Sequence, residues 1–192
     1  MPLMPLRLSD GVVELRRCSL GDRDASIAAM EESWSQLHDW LLWAQHEMDV
    51  AHFDDLIKDY DEAWANDTDW RYFTFDAADE SFLGAANIYT MSDPEMVGIG
   101  YWVRSSRTGR GYATRASRIL TSAAFDYLPL VQTVEIQMDV GNVASVAVAR
   151  RLGFRLVSEI PKERLVPASS GRALLWRIDR DEWRDHTTAR SN

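Results

Sequence analysis

The segment VGIGYWVRSSRTGRGYATRASRILTSAAFDYL, Val97 to Leu128, constrains this chain more than any other stretch. A β-branched and aromatic run ends in a turn carrying two glycines, Gly109 and Gly111, and a helix-compatible stretch begins at once. Glycine is unfavourable inside a helix and suits places where the backbone turns sharply or something approaches it closely. A helix start leaves backbone N–H donors unpaired and bears partial positive charge. Cleared of side chains, such a start can hold a phosphate, and Arg107 and Arg110 can add charge-assisted hydrogen bonds. On spacing alone, a tight turn with helix-packing glycines is the competing reading. The P-loop string G-x-x-x-x-G-K-[ST] does not occur, and Thr114 stands where a dinucleotide fingerprint needs its third glycine.

The rest of the chain supplies a sheet for this turn to stand on. Val12–Ser19 alternates as a first strand. Leu20–Ala44 reads as helical in two pieces, with Asp22 or Asp24 placed to cap the first. In Asp49–Asn66, Phe53, Leu56, Ile57, Tyr60 and Trp64 share one face at helical spacing, and the opposite face is acidic. Strands follow at Trp70–Ala77 and Ser81–Met91, around a turn at Ala78–Glu80, and again at Val97–Ser105 after Ser92–Pro94. A long helix, a strand at Val131–Val140, a helix at Asn142–Leu152 closed by Gly153, and strands at Phe154–Ile160 and Arg172–Asp179 complete the order. This is a mixed α/β plan around one central sheet. No repeat, low-complexity linker or domain boundary interrupts it, so residues 1–192 are expected to form a single domain. Flexible ends are expected near 1–9 and 186–192, the latter the polar tail HTTARSN.

Composition narrows the function. With 30 acidic against 21 basic residues, the net charge of -9 argues against nucleic-acid binding. The single cysteine, Cys18, excludes an intrachain disulfide and a cysteine-rich metal site, and buried packing is its expected role. The N-terminus lacks a signal-peptide pattern, and no run reaches the roughly 18 apolar residues of a membrane span. A cytoplasmic location without membrane partners is the expectation.

The tract Val97–Phe125 with VEIQMDVGNVASVAVARRLGFRLVSE resembles the GNAT superfamily of acetyl-CoA-dependent N-acetyltransferases, and within it the branch of RimJ/RimL-like ribosomal-protein N-terminal acetyltransferases. The family's pyrophosphate motif, [QR]-x-x-G-x-[GA], falls on Thr108, Gly111 and Ala113, with threonine in place of the expected glutamine or arginine. QLHDWLLWA resembles the branch's Trp-rich helical segment, GYWV its fourth strand, NVAS its Asn-x-x-Ser, LGF the turn after the following helix and LLWRIDRDEW its ending, so nearly the whole chain is covered. The resemblance implies the GNAT fold, of α/β (α+β) type, with a mixed sheet of about six to seven strands splayed between the fourth and fifth.

It also implies a ligand and residues to hold it. Acetyl-CoA, leaving as coenzyme A, would lie in the splay. Tyr101, Trp102 and Val103 would pair with its pantetheine arm by strand addition, and one of the two aromatics would do packing alone, because successive side chains face opposite ways. Its pyrophosphate would rest on the turn Arg107, Thr108, Gly109, Arg110, Gly111, Tyr112, Ala113 and Thr114. Asn142 would bond the cofactor, act as an ordinary N-cap, or both, and Ser145 would lie near the sulfur. The reaction is attack of a neutral amine on the thioester. It needs a proton acceptor, an oxyanion donor such as a strand N–H near Tyr101–Val103, and an acid for the thiolate. A tyrosine used by many relatives is replaced by Ala149, which leaves Ser145 as the expected catalytic acid. A glutamate common two residues before GYW is replaced by Gly98, and Glu95 and Glu159 read as solvated charges.

His38, His46 and His52 lack metal-site spacing, and Trp34, Trp40 and Trp43 read as core. Asp54, Asp55, Asp59 and Asp61 are candidates for attracting a cationic acceptor. The implied partner is an amine, favoured as a protein or peptide N-terminus. The alternatives are a small amine (an antibiotic, polyamine or aminoacyl-nucleotide toxin) or a non-catalytic acyl-CoA-binding regulator. A homodimer is compatible with the resemblance.

Overall fold

The computed structural model describes residues 4–45 and 50–191; His46 lies outside the described residues. One eight-stranded sheet runs in the order β1-β2-β3-β4-β5-β6-β8-β7. Its strands are β1 Arg7–Ser9, β2 Val13–Arg17, β3 Asp69–Asp76, β4 Phe82–Thr90, β5 Met96–Val103, β6 Thr133–Asp139, β7 Arg155–Pro161 and β8 Arg172–Asp179. The eighth strand, beyond the six to seven expected, is β1. Its three residues are too short to carry a period, and they pair with β2 across the turn at Asp10, whose carboxylate accepts the N–H groups of Val12 and Val13 at 3.0 and 2.9 Å.

The helices are α1 Arg23–Glu32, α2 Trp34–Trp40, α3 Val50–Ala65, α4 Tyr112–Tyr127, α5 Val143–Arg151 and α6 Arg180–Ser191. The expected two-piece helix breaks at Ser33 between α1 and α2. Asp22 sits at the α1 N-cap but makes no side-chain cap; its carboxylate accepts from the Ser19 hydroxyl at 2.8 Å instead, and Asp24 lies inside the first turn. The polar C-terminal stretch, expected to fray, continues as α6, whose Trp183 is buried and donates from Nε1 to Ser122 Oγ at 3.1 Å. No described helix is long and apolar enough to cross a membrane.

Strand alternation divides the core in two. Val13, Leu15, Trp70, Tyr72, Ala86, Ile88, Val97 and Ile99 face α4 in one cluster with Val134, Ile136, Ala149 and Leu152. Phe73, Phe75 and Phe82 face the other way, with Ala29 and Met30 of α1, Leu37 of α2, and Phe53 and Ile57 of α3. Of the apolar stripe read for α3, Phe53, Ile57 and Tyr60 cover this second face, while Trp64 at its end packs on the first, edge-on to Tyr72 at 5.2 Å. At roughly 25 cal/mol per Å² of apolar area, two such clusters are the main stabilising term.

The decisive feature of the sheet is the β5–β6 junction, its parallel pair. Met96, Val97 and Gly98 pair with Thr133, Val134 and Glu135, and there the pairing ends. Beyond Gly98, β5 stays with β4 through Val103, while β6 stays with β8 through Asp139. The two halves of the sheet diverge, and the edge of β5 facing β6 has no strand partner from Ile99 onward among the described residues.

The turn leaving β5 is tied to α1. Glu32 accepts the backbone N–H of Ser106 at 2.9 Å and the Arg104 guanidinium Nε at 3.1 Å, and Ser33 Oγ accepts the N–H of Ser105 at 2.9 Å. Arg104 holds the Glu32 carboxyl down at about 2, from an ordinary 4.5. A carboxyl depressed in the folded state adds stability that is present above its unfolded value and is lost as pH falls. The melting temperature of Glu32→Gln should therefore fall below wild type at neutral pH, and the gap should close as pH drops from 4.5 towards 2. Thermal unfolding followed by circular dichroism across that range reads it.

Candidate active site

The glycine turn sits where the sheet opens. Gly109 and Gly111 have φ of 74° and 84°, in the left-handed region, and a side chain added at either meets nothing within 4 Å. Packing against the protein therefore does not demand glycine here; backbone conformation does, and the face is left clear. Gly111 is the N-cap of α4 and no side chain caps it, so the amides of its first turn are available to an anion. Thr108 does not replace the missing donor: its hydroxyl is spent on the Ser105 carbonyl at 3.0 Å. Arg107 is anchored to the β3–β4 turn through Asp79 Oδ2 at 3.3 Å. Tyr112 leans the same way, donating to Asp76 at 2.5 Å. Arg110 is exposed.

A cleft of about 540 Å³ runs from this turn along β5 to α5. Every residue expected from the sequence to hold the cofactor borders it except Arg110, whereas Asp54, Asp55, Asp59 and Asp61 do not. Sequence reasoning did not single out its other walls, Gln36 and Leu37 on α2, Leu41 just after it, and Ala144, Ala147, Val148 and Arg151 on α5. These are ordinary helix-face residues with no chemical signature. Asn142 Oδ1 accepts the Ser145 N–H at 3.1 Å, which makes it the N-cap of α5; its amide nitrogen remains for a ligand. Ala149 is fully buried in the α4-side core, so no group at that position faces the cleft.

Ser145 is paired with Tyr101. The two hydroxyl oxygens lie 2.7 Å apart across the splay. Burial pushes the tyrosine up to about 12, offset in part by the serine, so it keeps its proton at neutral pH. Two hydroxyls sharing one hydrogen bond spend one O–H on each other and leave one free to donate into the cleft. The alternation expected of Tyr101 and Trp102 is present: Trp102 lies on the other face, 6.1 Å from Phe82 and 6.2 Å from Trp43 between ring centroids.

That other face carries a polar lattice. Across β3, β4 and β5, Asp69 registers with Tyr89 and Tyr89 with Gly98; Arg71 registers with Asn87 and Asn87 with Gly100. The Tyr89 ring occupies the space above Gly98, where an added Cβ would stand 2.2 Å from it. A side chain at Gly98, a glutamate included, therefore requires the Tyr89 ring to move. Glu95 and Glu159 are exposed, and Glu159 pairs with Arg172. The carboxylates considered for attracting a cation mostly have local partners: Asp54 with Arg23, Asp55 with Lys58 and Asp61 with Arg17. His38 packs near Trp34, their rings 5.9 Å apart, and Trp40 borders the cleft. Cys18 is buried, which raises its thiol well above the ordinary value. Among the described residues no cluster could hold a metal ion.

These features have a counterpart in a known family. The sequence profile described as an acetyltransferase (GNAT) domain matches residues 13–155, and the chain belongs to that family, whose enzymes move an acetyl group from acetyl-CoA to an amine. Among solved structures, a RimL ribosomal L7/L12 α-N-protein acetyltransferase in complex with coenzyme A superposes with a TM-score of 0.81 at 19% identity, covering 93% of this chain and 98% of that one. RimJ of Mycobacterium smegmatis, in complex with CoA-disulfide, gives 0.81 at 24% identity over 97% of this chain and 93% of that one. The microcin C7 self-immunity acetyltransferase MccE, in complex with acetyl-CoA and AMP, gives 0.82 at 18% identity over 93% and 98%. At these identities the likeness is one of fold. No curated protein sequence matches the chain.

The steric account of Gly98 is testable. Gly98→Ala should cost about 1–3 kcal/mol by overpacking, measured by urea unfolding. Adding Tyr89→Leu should recover most of it; equal stability of Gly98→Ala and wild type would remove Tyr89 as the cause.

Proposed function

We propose that the chain, as one domain spanning residues 1–192, transfers the acetyl group of acetyl-CoA to a protein or peptide N-terminal amine by direct attack in a ternary complex. The observation that carries this is the shared cleft. A glycine-cleared, uncapped helix start lies at one end, a free strand edge along its length and the Tyr101–Ser145 hydroxyl pair at the other. These features fit a ligand with an anionic end, an amide-bearing arm and a thioester.

The amides from Gly109 to Thr114 hold the pyrophosphate, with Arg107 and Arg110 contributing charge. The open edge of β5 at Tyr101–Val103 would pair with the pantetheine arm, and a strand N–H there would serve as the oxyanion donor. Asn142 offers its amide nitrogen to the same arm. Ser145 holds a proton at Oγ, backed by Tyr101. Bound acetyl-CoA supplies an activated acetyl group and, after transfer, a thiolate to be protonated. An α-amine with a pKa near 7.7–8.0 is partly neutral at physiological pH, so a strong base is unnecessary.

A protein N-terminus is favoured because RimL and RimJ are among the structures this fold matches. The likeness to MccE keeps a small amine as the second reading. Incubation of the protein and acetyl-CoA with peptides of varied N-terminus, spermidine and an aminoacyl-adenylate analogue, read by mass spectrometry, separates the two. Tight coenzyme A binding with no acetylated amine in the panel would favour a non-catalytic regulator instead. Gly111→Asp puts a carboxylate in the anion's place and should abolish acetyl-CoA binding by calorimetry; retained affinity would refute the cradle.

The acid assignment has its own check. Ser145→Ala should lower kcat by about 100-fold, the low end for general-acid catalysis, with little change in acetyl-CoA Kd. Tyr101→Phe should lower kcat less, because Ser145 still has a proton to give. An unchanged kcat in Ser145→Ala would remove Ser145 from the chemistry.

A further inference from the structure

The face of the sheet beneath α1 and α3 holds an oriented acceptor that neither the GNAT profile nor the glycine turn accounts for. Asn87, on β4, donates from Nδ2 to Asp69 Oδ1 at 2.8 Å. A carboxylate accepts only, so Asp69 fixes which way the amide faces. Asp69 is itself held by Arg71, whose guanidinium lies 2.8 Å from Oδ2. With its nitrogen committed, Asn87 must turn its oxygen towards β5, and Oδ1 stands 2.7 Å from where a Cβ of Gly100 would be. A side chain at Gly100 would displace it. Among the described residues no donor reaches Asn87 Oδ1, although the side chain is half-buried.

This oxygen borders a pocket of about 40 Å³ whose walls include Trp43, Tyr60 and Trp102. Trp102 also borders the large cleft on the far side. The pocket therefore abuts β5 next to its free edge, from the face opposite Tyr101. Gly98 and Gly100 leave the backbone of β5 bare on this face, with Tyr89 covering the first and only Asn87 leaning over the second.

We infer that Asn87 Oδ1, aimed by Asp69 and Arg71, accepts an N–H of the incoming primary amine and holds its nitrogen over Gly100, beside the thioester. This rests on the acetyl-transfer reading above and deepens it. Asn87 touches the acceptor; Asp69 is a positioning residue that acts through it. An uncharged amide oxygen can hold an ammonium ion and the neutral amine formed from it alike. A fixed carboxylate at the same point would favour the unreactive ammonium.

The experiment is steady-state kinetics with whichever amine of the panel wild type acetylates best, alongside calorimetric acetyl-CoA Kd. Asn87→Leu keeps the volume and removes the oxygen; it should raise acceptor KM on the order of tenfold, the loss of one hydrogen bond to a partly charged group. Asp69→Asn keeps the shape but no longer dictates the amide's direction, and should raise acceptor KM by a smaller factor at unchanged kcat. In both, acetyl-CoA Kd should stay within about twofold, as only the acceptor side is altered. An unmoved acceptor KM in Asn87→Leu overturns the inference and leaves the acetyltransferase reading standing. Loss of acetyl-CoA binding in that variant also overturns it, marking Asn87 as a brace of the sheet. Absence of transfer from wild type to any amine overturns the functional reading, and the inference falls with it.

Discussion

The loss of pairing between β5 and β6 after Gly98 is the constraint on which the site depends. A parallel pair that ran on to Val103 would satisfy the β5 edge with protein and leave no strand for a ligand to extend. Because the pairing stops, the backbone of β5 is exposed where α4 begins on one side and α5 begins on the other. Both helix starts then open into a single cleft. The opening is held rather than loose. On the β5 side, Glu32 and Ser33 fix the turn at Ser105–Ser106; on the β6 side, Asp139 accepts N–H groups from Gly141 and Ser170 at 2.8 and 2.9 Å.

Much of the fold was legible because it depends on local pattern. Alternation in Val12–Ser19 and helical spacing in α3 each report a buried face: Val13 and Leu15 point into one cluster, and Phe53 and Ile57 into the other. The glycine turn was legible for a different reason: a positive φ leaves a mark in the choice of residue itself. What escaped was set by partners distant in sequence. β1 exists because β2 is there to pair with. Asp22 caps nothing because Ser19 engages it first. Arg107 is directed to Asp79, on a turn far away in the chain, and no local pattern carries that information.

The site was legible to the same degree. The residues of the turn and of the Asn-x-x-Ser step border the cleft because their positions follow from consecutive elements. The hydroxyl pair could not be read, since Tyr101 and Ser145 lie 44 residues apart and either is unremarkable alone. The residues under the α1–α3 face were harder still. Asp69, Arg71 and Asn87 carry no signal of their own in the sequence, and only the register between β3 and β4 sets them side by side.

The Tyr89 ring over Gly98 also ties two strands together in sequence space. The tip of the ring fills the volume a side chain at position 98 would take, so any residue larger than glycine there has to swing the ring off β5. The identities at 89 and 98 are therefore coupled: a change at one is felt through the other.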